Sequence, residues 1–262
     1  MRVLVISDIH LKPWIFDRAD EIMKKKIADQ AVCLMDIADD WGMELHIDRY
    51  EETYDRAIAF AMAHPNTLWC YGNHDISYVW GKLETGYSAY AEATVRSKLS
   101  ELERILPDPS RMSFVHRIGK VIFSHGGITS DFVRWLAESR EDNLMDADID
   151  DVISAINDAP VEYLWNDASP LWARPQYGHS GIFRNEAFIQ AVGHTPVETI
   201  FEKDGVISTD VFSTYRDGRQ IGETVCILSK LSSAKEHIEV TVDMDELDLT
   251  SAEAKATYNE IR

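Results

Sequence analysis

Residues 67–75 read TLWCYGNHD, an apolar run that breaks at Gly72 into Asn73, His74 and Asp75. Two readings fit this stretch. Gly, Asn and Asp supply the backbone freedom and local hydrogen bonds of an ordinary turn. A buried strand that delivers three polar side chains at one end also describes a functional site. The choice depends on whether other strands in the chain end the same way.

Four others do. RVLVIS (2–7) is followed by Asp8 and His10, and AVCLM (31–35) by Asp36, Asp39 and Asp40. KVIFS (120–124) is followed by His125, Gly126 and Gly127, and FIQAV (188–192) by Gly193 and His194. Short runs rich in β-branched residues read as buried strands. Between the first three, DRADEIMKKKIADQ (17–30) and YEETYDRAIAFAMAH (50–64) carry helical spacing. Strands alternating with helices predict an α/β fold with parallel strands, whose ligands bind at the carboxyl edge of the sheet.

From about residue 197 the pattern shifts to short extended pieces, VETIFEKDGVIST (197–209), TVCILS (224–229) and EHIEVTVD (236–243), with Lys203-Asp204-Gly205 as a hairpin turn. The expectation is a strand-rich layer added to the α/β core, giving two packed mixed sheets with helices outside. No repeat or linker is visible, so a single domain is expected over residues 1–262, with helical insertions at about 76–112 and 130–187. Such insertions exceed ordinary connections and form either the walls of a site or a cover for a sheet edge.

Bulk properties narrow the function classes. With 45% apolar residues among 262, the chain can bury a sizeable core. A net charge of -19, from 26 basic and 45 acidic residues, disfavours long-range attraction to nucleic acid or anionic membrane. Cys33, Cys70 and Cys226 lie in apolar runs without CxxC spacing, so free buried thiols and a cytoplasmic location are expected. No stretch has the length of a membrane-spanning helix, and the opening MRVLVISDIH is too short and polar for a signal peptide.

Carboxylate, imidazole and amide oxygen at the strand ends are ligand types for manganese, iron and zinc, and the lack of thiolates argues against a structural zinc site. One aspartate between two clusters can bridge cations about 3.5–4 Å apart, the arrangement that clamps attacking and leaving oxygens in phosphoryl hydrolysis. A binuclear centre is therefore expected.

Other features carry less. DADIDD (146–151) lacks the glycine and glutamate of a calcium loop and reads as an acidic helix start. Trp165, Trp172 and Tyr177 are either core or the wall of a pocket. His179 is a candidate extra polar contact, Asp210 a strand terminus near the site, and residues 243–262 a peripheral helix or frayed end.

The ordered set SDIH (7–10), MDIADDWG (35–42), GNHD (72–75), SHGG (124–127) and GHTP (193–196) resembles the calcineurin-like metallophosphoesterases. GNHD, SHGG, GHTP and LWARP (171–175) are similar to the phosphoprotein phosphatase and symmetrical diadenosine tetraphosphatase branch. The resemblance implies a four-layer α/β/β/α sandwich and two transition metal ions, manganese foremost, with iron or zinc as alternatives. It implies that Asp8 and His10 hold the first metal, that Asp36 bridges, and that Asn73, His125 and His194 hold the second. His74 would be the general acid, oriented by Asp39, and Asn73 would also lie against the substrate.

The implied reaction is in-line hydrolysis of a phosphate monoester, a serine/threonine phosphoprotein or a small phosphate ester, by a hydroxide between the metals; the alternative within enzymes is hydrolysis of the phosphoanhydride of a dinucleoside polyphosphate. A metal-free interaction scaffold is the alternative from another class. Two positions depart from the pattern: Met35 stands where the family has Gly, and Asp40 where the branch has a phosphate-gripping Arg. Arg174 is the candidate to replace that bidentate contact, or else it packs on Trp172.

Overall fold

Val3, Leu4, Val5 and Ile6 are all buried, the pattern of a strand covered on both faces. They form β1 (Val3–Ile6). The computed structural model describes residues 1–178, 181–222, 224–229, 231–232 and 238–243. After β1 come α1 (Trp14–Lys24), β2 (Gln30–Cys33), α2 (Ile47–Ala63), β3 (Leu68–Cys70), α3 (Asn73–Trp80), α4 (Glu92–Ile105), β4 (Met112–Ser113), β5 (Val115–Ile118) and β6 (Val121–Ser124). The chain continues through α5 (Ser130–Arg140), α6 (Ile149–Asn157), α7 (Val161–Leu164), β7 (Ile189–Val192), β8 (Phe201–Lys203), β9 (Val206–Ser208), β10 (Thr224–Leu228) and β11 (Ile238–Asp243).

The strands form two mixed sheets. The first has the order β11-β10-β1-β2-β3-β4, and β1 to β4 run parallel while β10 is antiparallel to β1. The second has the order β5-β6-β7-β9-β8, with β6, β7 and β9 parallel and an antiparallel strand at each edge.

Period-two alternation decides how the sheets pack. Val121 and Phe123 of β6 share one buried cluster with Val3, Val5 and Ala31 of the first sheet. Ile122, between them, faces a second cluster with Phe132 and Leu136 of α5 and Val152 and Ile156 of α6. Ile15, Ala19 and Ile22 of α1, Tyr54, Ala57 and Ala61 of α2 and Val95, Leu99 and Leu102 of α4 recur at helical spacing and join the first cluster. The result is helix, sheet, sheet and helix in four layers.

The C-terminal strands do not make a layer of their own. β8 and β9 extend the second sheet, while β10 and β11 extend the first past β1. Of the five strands read from sequence, β1, β2 and β3 lie in one sheet and β6 and β7 in the other. Periodicity cannot reveal this division, because strands covered on both faces look alike whichever sheet they join. The β8–β9 hairpin turns on Asp204 (φ 52°) and Gly205 (φ 83°), the two positive φ values of a type I′ turn.

The segment 76–112 holds most of α3, α4 and a short 3-10 turn, and 130–187 holds α5 to α7. At the start of α6 the Asp148 carboxylate accepts from Asp150 N, with Asp150 and Asp151 in the first turn, where the helix dipole favours negative charge. The three cysteines are buried and free. Among the described residues no helix is long and apolar enough to cross a membrane. His179 and the tail beyond residue 243 lie outside the described residues.

Candidate metal centre

The loops after β1 and β2 are locked to each other by backbone hydrogen bonds, His10 N to Asp36 O at 2.7 Å and Leu11 N to Ile37 O at 3.0 Å. They hold Asp8 (φ 52°), His10 (φ 42°), Asp36 (φ 49°) and Asp39 (φ 62°) in the left-handed region, and His194 (φ 62°) joins them from the loop after β7. Left-handed backbone at non-glycine residues costs on the order of 1–3 kcal/mol each and persists only where the surroundings enforce it. Two glycines make room for the carboxylates. A Cβ at Gly72 would overlap Asp36 Oδ1, and one at Gly193 would overlap Asp8 Oδ2.

Two groups of ligand atoms converge here, each within 4.8 Å: Asp8, His10 and Asp36 in one, and Asp36, His125 and His194 in the other. Asp36 belongs to both. Its Oδ2 is 3.1 Å from His125 Nε2 and 3.9 Å from His10 Nε2. Asn73 Oδ1 is 2.9 Å from His125 Nε2, which adds the amide to the second group. The far ring nitrogens are already committed. His125 Nδ1 donates to Leu34 O at 2.8 Å and His10 Nδ1 to Asp39 O at 2.8 Å, so each ring presents Nε2 to the site.

This donor set fits cations. His125 Nε2 lies 2.9 Å from Asn73 Oδ1 and 3.1 Å from Asp36 Oδ2, a cluster that positive charge stabilises: burial would lower the His125 imidazole, but Asp36 raises it to about 9, and a cation can take the place of that proton. Asp8 Oδ2 and His194 Nε2 are buried with no hydrogen-bond partner, an arrangement that is costly unless an ion satisfies them. Burial, then Asp210, pushes the Asp8 carboxyl well up. Burial would raise Asp36 too, but the imidazoles of His125, His74 and His10 outweigh it and hold that carboxyl below the usual range. Burial lowers His10 to about 4 and also depresses His194.

Asn73, His74 and Asp75 open α3, so the strand runs into a helix rather than a turn. His74 N donates to Asp36 Oδ1 at 3.0 Å, and its Nδ1 meets Asp39 Oδ2 at 3.0 Å. Burial would lower this imidazole, but Asp36 and the hydrogen bond to Asp39 raise it to about 9. Asp75 is not among the convergent ligand residues. It accepts from Ile37 N, Ala38 N and the Tyr54 hydroxyl, pinning the loop that carries Asp36.

A cavity of about 290 Å³ opens over these groups, with Trp172 and Arg174 in its wall. Arg174 Nη1 donates to His194 O at 2.6 Å, and Trp172 meets the His194 ring edge-on at 5.7 Å with Trp165 behind it. Tyr177 is 60% exposed and is not in the wall. Asp40 is paired with Lys12 at 2.9 Å and accepts from Thr214 Oγ1 at 3.0 Å.

Sequence reasoning missed Trp41, Thr214 and the 84–86 segment of the wall, and Lys12, which pairs with the wall residue Asp40, since loop residues carry no periodic signal. Asp210 is a further buried carboxylate that acts on Asp8; burial raises it to about 6, and its Oδ2 has no hydrogen-bond partner. Its only trace in the sequence is its place two residues after β9.

A family model described as calcineurin-like phosphoesterase matches residues 1–211. Among solved structures, the chain is similar to the cold-active protein-tyrosine phosphatase of a psychrophile, Shewanella sp., at 19% identity over 93% of this chain and 78% of that one, with a TM-score of 0.55. A further structure of a cold-active protein tyrosine phosphatase matches at 19% identity over 93% and 76%, TM-score 0.54. A metallophosphoesterase from Sphaerobacter thermophilus matches at 16% identity over 88% and 85%, TM-score 0.46. At such identities the likeness to the first two is one of fold.

Proposed function

As the chain belongs to the calcineurin-like phosphoesterases, and is by that membership a metal-dependent phosphoric ester hydrolase, we propose that it cleaves phosphate monoesters with two cations that share Asp36. Asp8, His10 and Asp36 hold one cation, and Asp36, Asn73, His125 and His194 the other. The observation that carries this is the Asp36 carboxylate common to both convergent groups. Bound there, the two cations supply Lewis acidity and a nucleophile competent at neutral pH; manganese is the first choice, with iron or zinc accepted by the same donors.

The chain's own groups supply the rest. Among the described residues Arg174 donates from Nη1 to His194 O and Thr195 Oγ1, which leaves other guanidinium N–H groups to grip phosphoryl oxygens. A dianionic monoester needs that added positive charge more than a monoanionic diester does. His74 turns Nδ1 to Asp39 and lines the cavity, so Nε2 is the atom that passes a proton to the departing oxygen. A positioned acid matters most for alkoxide leaving groups, which favours serine or threonine phosphate on a protein. The exposed rim agrees with a peptide: Trp41 is 41% exposed, and Leu83, beside the wall residue Glu84, is 82% exposed. The buried thiols fit a reducing compartment, and a cytoplasmic location is part of this proposal.

A second reading, hydrolysis of a dinucleoside polyphosphate, is favoured by one observation. Trp41 lines the mouth of the cavity with the Arg216 guanidinium 5.0 Å above its ring, a platform on which a base can stack.

The test is turnover by metal-stripped protein reloaded separately with manganese, iron or zinc, on p-nitrophenyl phosphate, a phosphothreonine peptide and diadenosine tetraphosphate, with His74→Asn as control. Metal-dependent turnover of the peptide that collapses in His74→Asn supports the monoester reading. Preference for the dinucleotide moves the assignment to the second. Failure to bind any metal sinks both.

A further inference from the structure

Asp39 is buried beneath His74, and both of its oxygens are engaged. Oδ2 meets His74 Nδ1 at 3.0 Å; Oδ1 accepts from Tyr50 OH at 3.0 Å and from Tyr78 OH at 2.6 Å. Tyr50 comes from α2 and Tyr78 from α3, and both are fully buried. The direction of the Tyr78 bond is fixed, because the carboxylate can only accept, so the phenol donates to it while its oxygen accepts from Ser88 N at 2.8 Å. Its ring is held by stacking on Tyr87 at 4.2 Å. Burial first, then the Asp39 carboxylate, pushes both phenols up, so they remain donors. Two phenylalanines would fill the same space without burying polar atoms, and a fully satisfied buried network of this kind enforces one geometry.

We propose that Tyr50 and Tyr78 are positioning residues for proton donation by His74: by occupying Asp39 Oδ1 they leave Oδ2 as the oxygen that faces the imidazole. Neither tyrosine touches the substrate. With Oδ1 held, the carboxylate plane cannot swing, Nδ1–H stays on Asp39, and Nε2 stays aimed at the cavity. Without the two hydroxyls, Oδ1 is a buried carboxylate oxygen lacking donors, and the carboxylate turns to find others. This inference rests on the reading of His74 as the general acid.

The experiment uses the manganese-loaded full chain and a series of esters from p-nitrophenyl phosphate through phenyl phosphate to phosphoserine. Tyr50→Phe is the first variant, since the Tyr50 hydroxyl supports no backbone group; Tyr50→Phe/Tyr78→Phe follows. The expected result is a kcat on p-nitrophenyl phosphate within about threefold of the parent, against a loss of about tenfold or more on phosphoserine, a part of the 100- to 10,000-fold that a general acid contributes. KM and metal content should not change, and neither substitution should cost anything further in a His74→Asn background. A second readout needs no turnover: in metal-free protein the His74 Nδ1 proton, followed by nitrogen-15 NMR of the imidazole, should exchange faster in the variants.

Equal losses on every ester, losses that persist in His74→Asn, or no loss with an unchanged imidazole signal would each overturn the proposal. If His74→Asn itself shows no dependence on leaving group, it is the general-acid reading that fails. If the double variant does not fold, Tyr50→Phe alone decides.

Discussion

His125 Nε2 lies 3.1 Å from Asp36 Oδ2, a contact between a residue following β6 in one sheet and a residue following β2 in the other. The proposed centre therefore sits on the seam of the two sheets, and Asp36 is its shared member. Asp36→Asn should leave the chain folded with fewer than two metals bound. Activity should fall by more than about 100-fold, beyond the range seen when only an outer partner of a ligand is lost. Metal analysis by mass spectrometry beside initial rates checks both, and two bound metals in the variant would refute the sharing.

Gly72 is small because Asp36 is there. Gly72→Ala would force its Cβ into the Asp36 carboxylate and backbone. A loss of about 1–3 kcal/mol in urea unfolding is expected from overpacking, together with weaker metal retention on dialysis. An unchanged metal affinity would mean that Asp36 can shift without consequence.

Arg174 supports His194 through one nitrogen and lines the cavity. Arg174→Lys keeps the charge but not the bidentate geometry. KM for a phosphate monoester should rise about tenfold, or about 1.4 kcal/mol, with product inhibition by inorganic phosphate weakened in proportion and metal content unchanged. A fall in kcat with constant KM would assign Arg174 to the transition state instead.

Lys12 and Asp40 form a largely enclosed ion pair, their side chains 11% and 14% exposed. Burial lowers the Lys12 amine, while Asp40 pulls it the other way. Lys12→Met strands the Asp40 carboxylate, for which about 3–5 kcal/mol is expected. Lys12→Met/Asp40→Leu should recover most of that loss, and calorimetric melting of the single and double variants reads the difference.

His116 ties the sheets together, donating from β5 to Trp69 O of β3 at 3.0 Å. Burial lowers its imidazole below the ordinary 6.5. The unfolded chain then binds a proton that the folded one resists, so stability is unaffected above 6.5 and falls as pH drops from there through the lowered folded value. Between pH 7.5 and 5.5 the parent should lose more unfolding free energy than His116→Gln. Parallel curves for the two proteins would remove His116 as a source of acid sensitivity.

The strand ends were legible because a buried strand has no local use for Asp, His or Asn, so each such residue stood out against its apolar run. Asp8, His10, Asp36, Asn73, His74, His125 and His194 all carried that mark. Asp210 carried it as a strand terminus near the site; Tyr50, Tyr78 and Lys12 did not. A tyrosine on the apolar face of α2 looks like any core aromatic, and a lysine in a loop looks solvated, until the partner is known.

The sequence by itself determined the five strands that end on polar residues and their alternation with helices, because periodicity and composition are local properties of the chain; β4 and β5, short strands at the sheet edges, were not read from it. Only the tertiary structure decided that β1, β2 and β3 face β6 and β7 across a seam, and that β10 and β11 rather than β8 and β9 extend the first sheet. Pairing and packing depend on contacts between residues far apart in the chain. His125 and Asp36 are separated by 89 positions, and no local pattern records that the two meet.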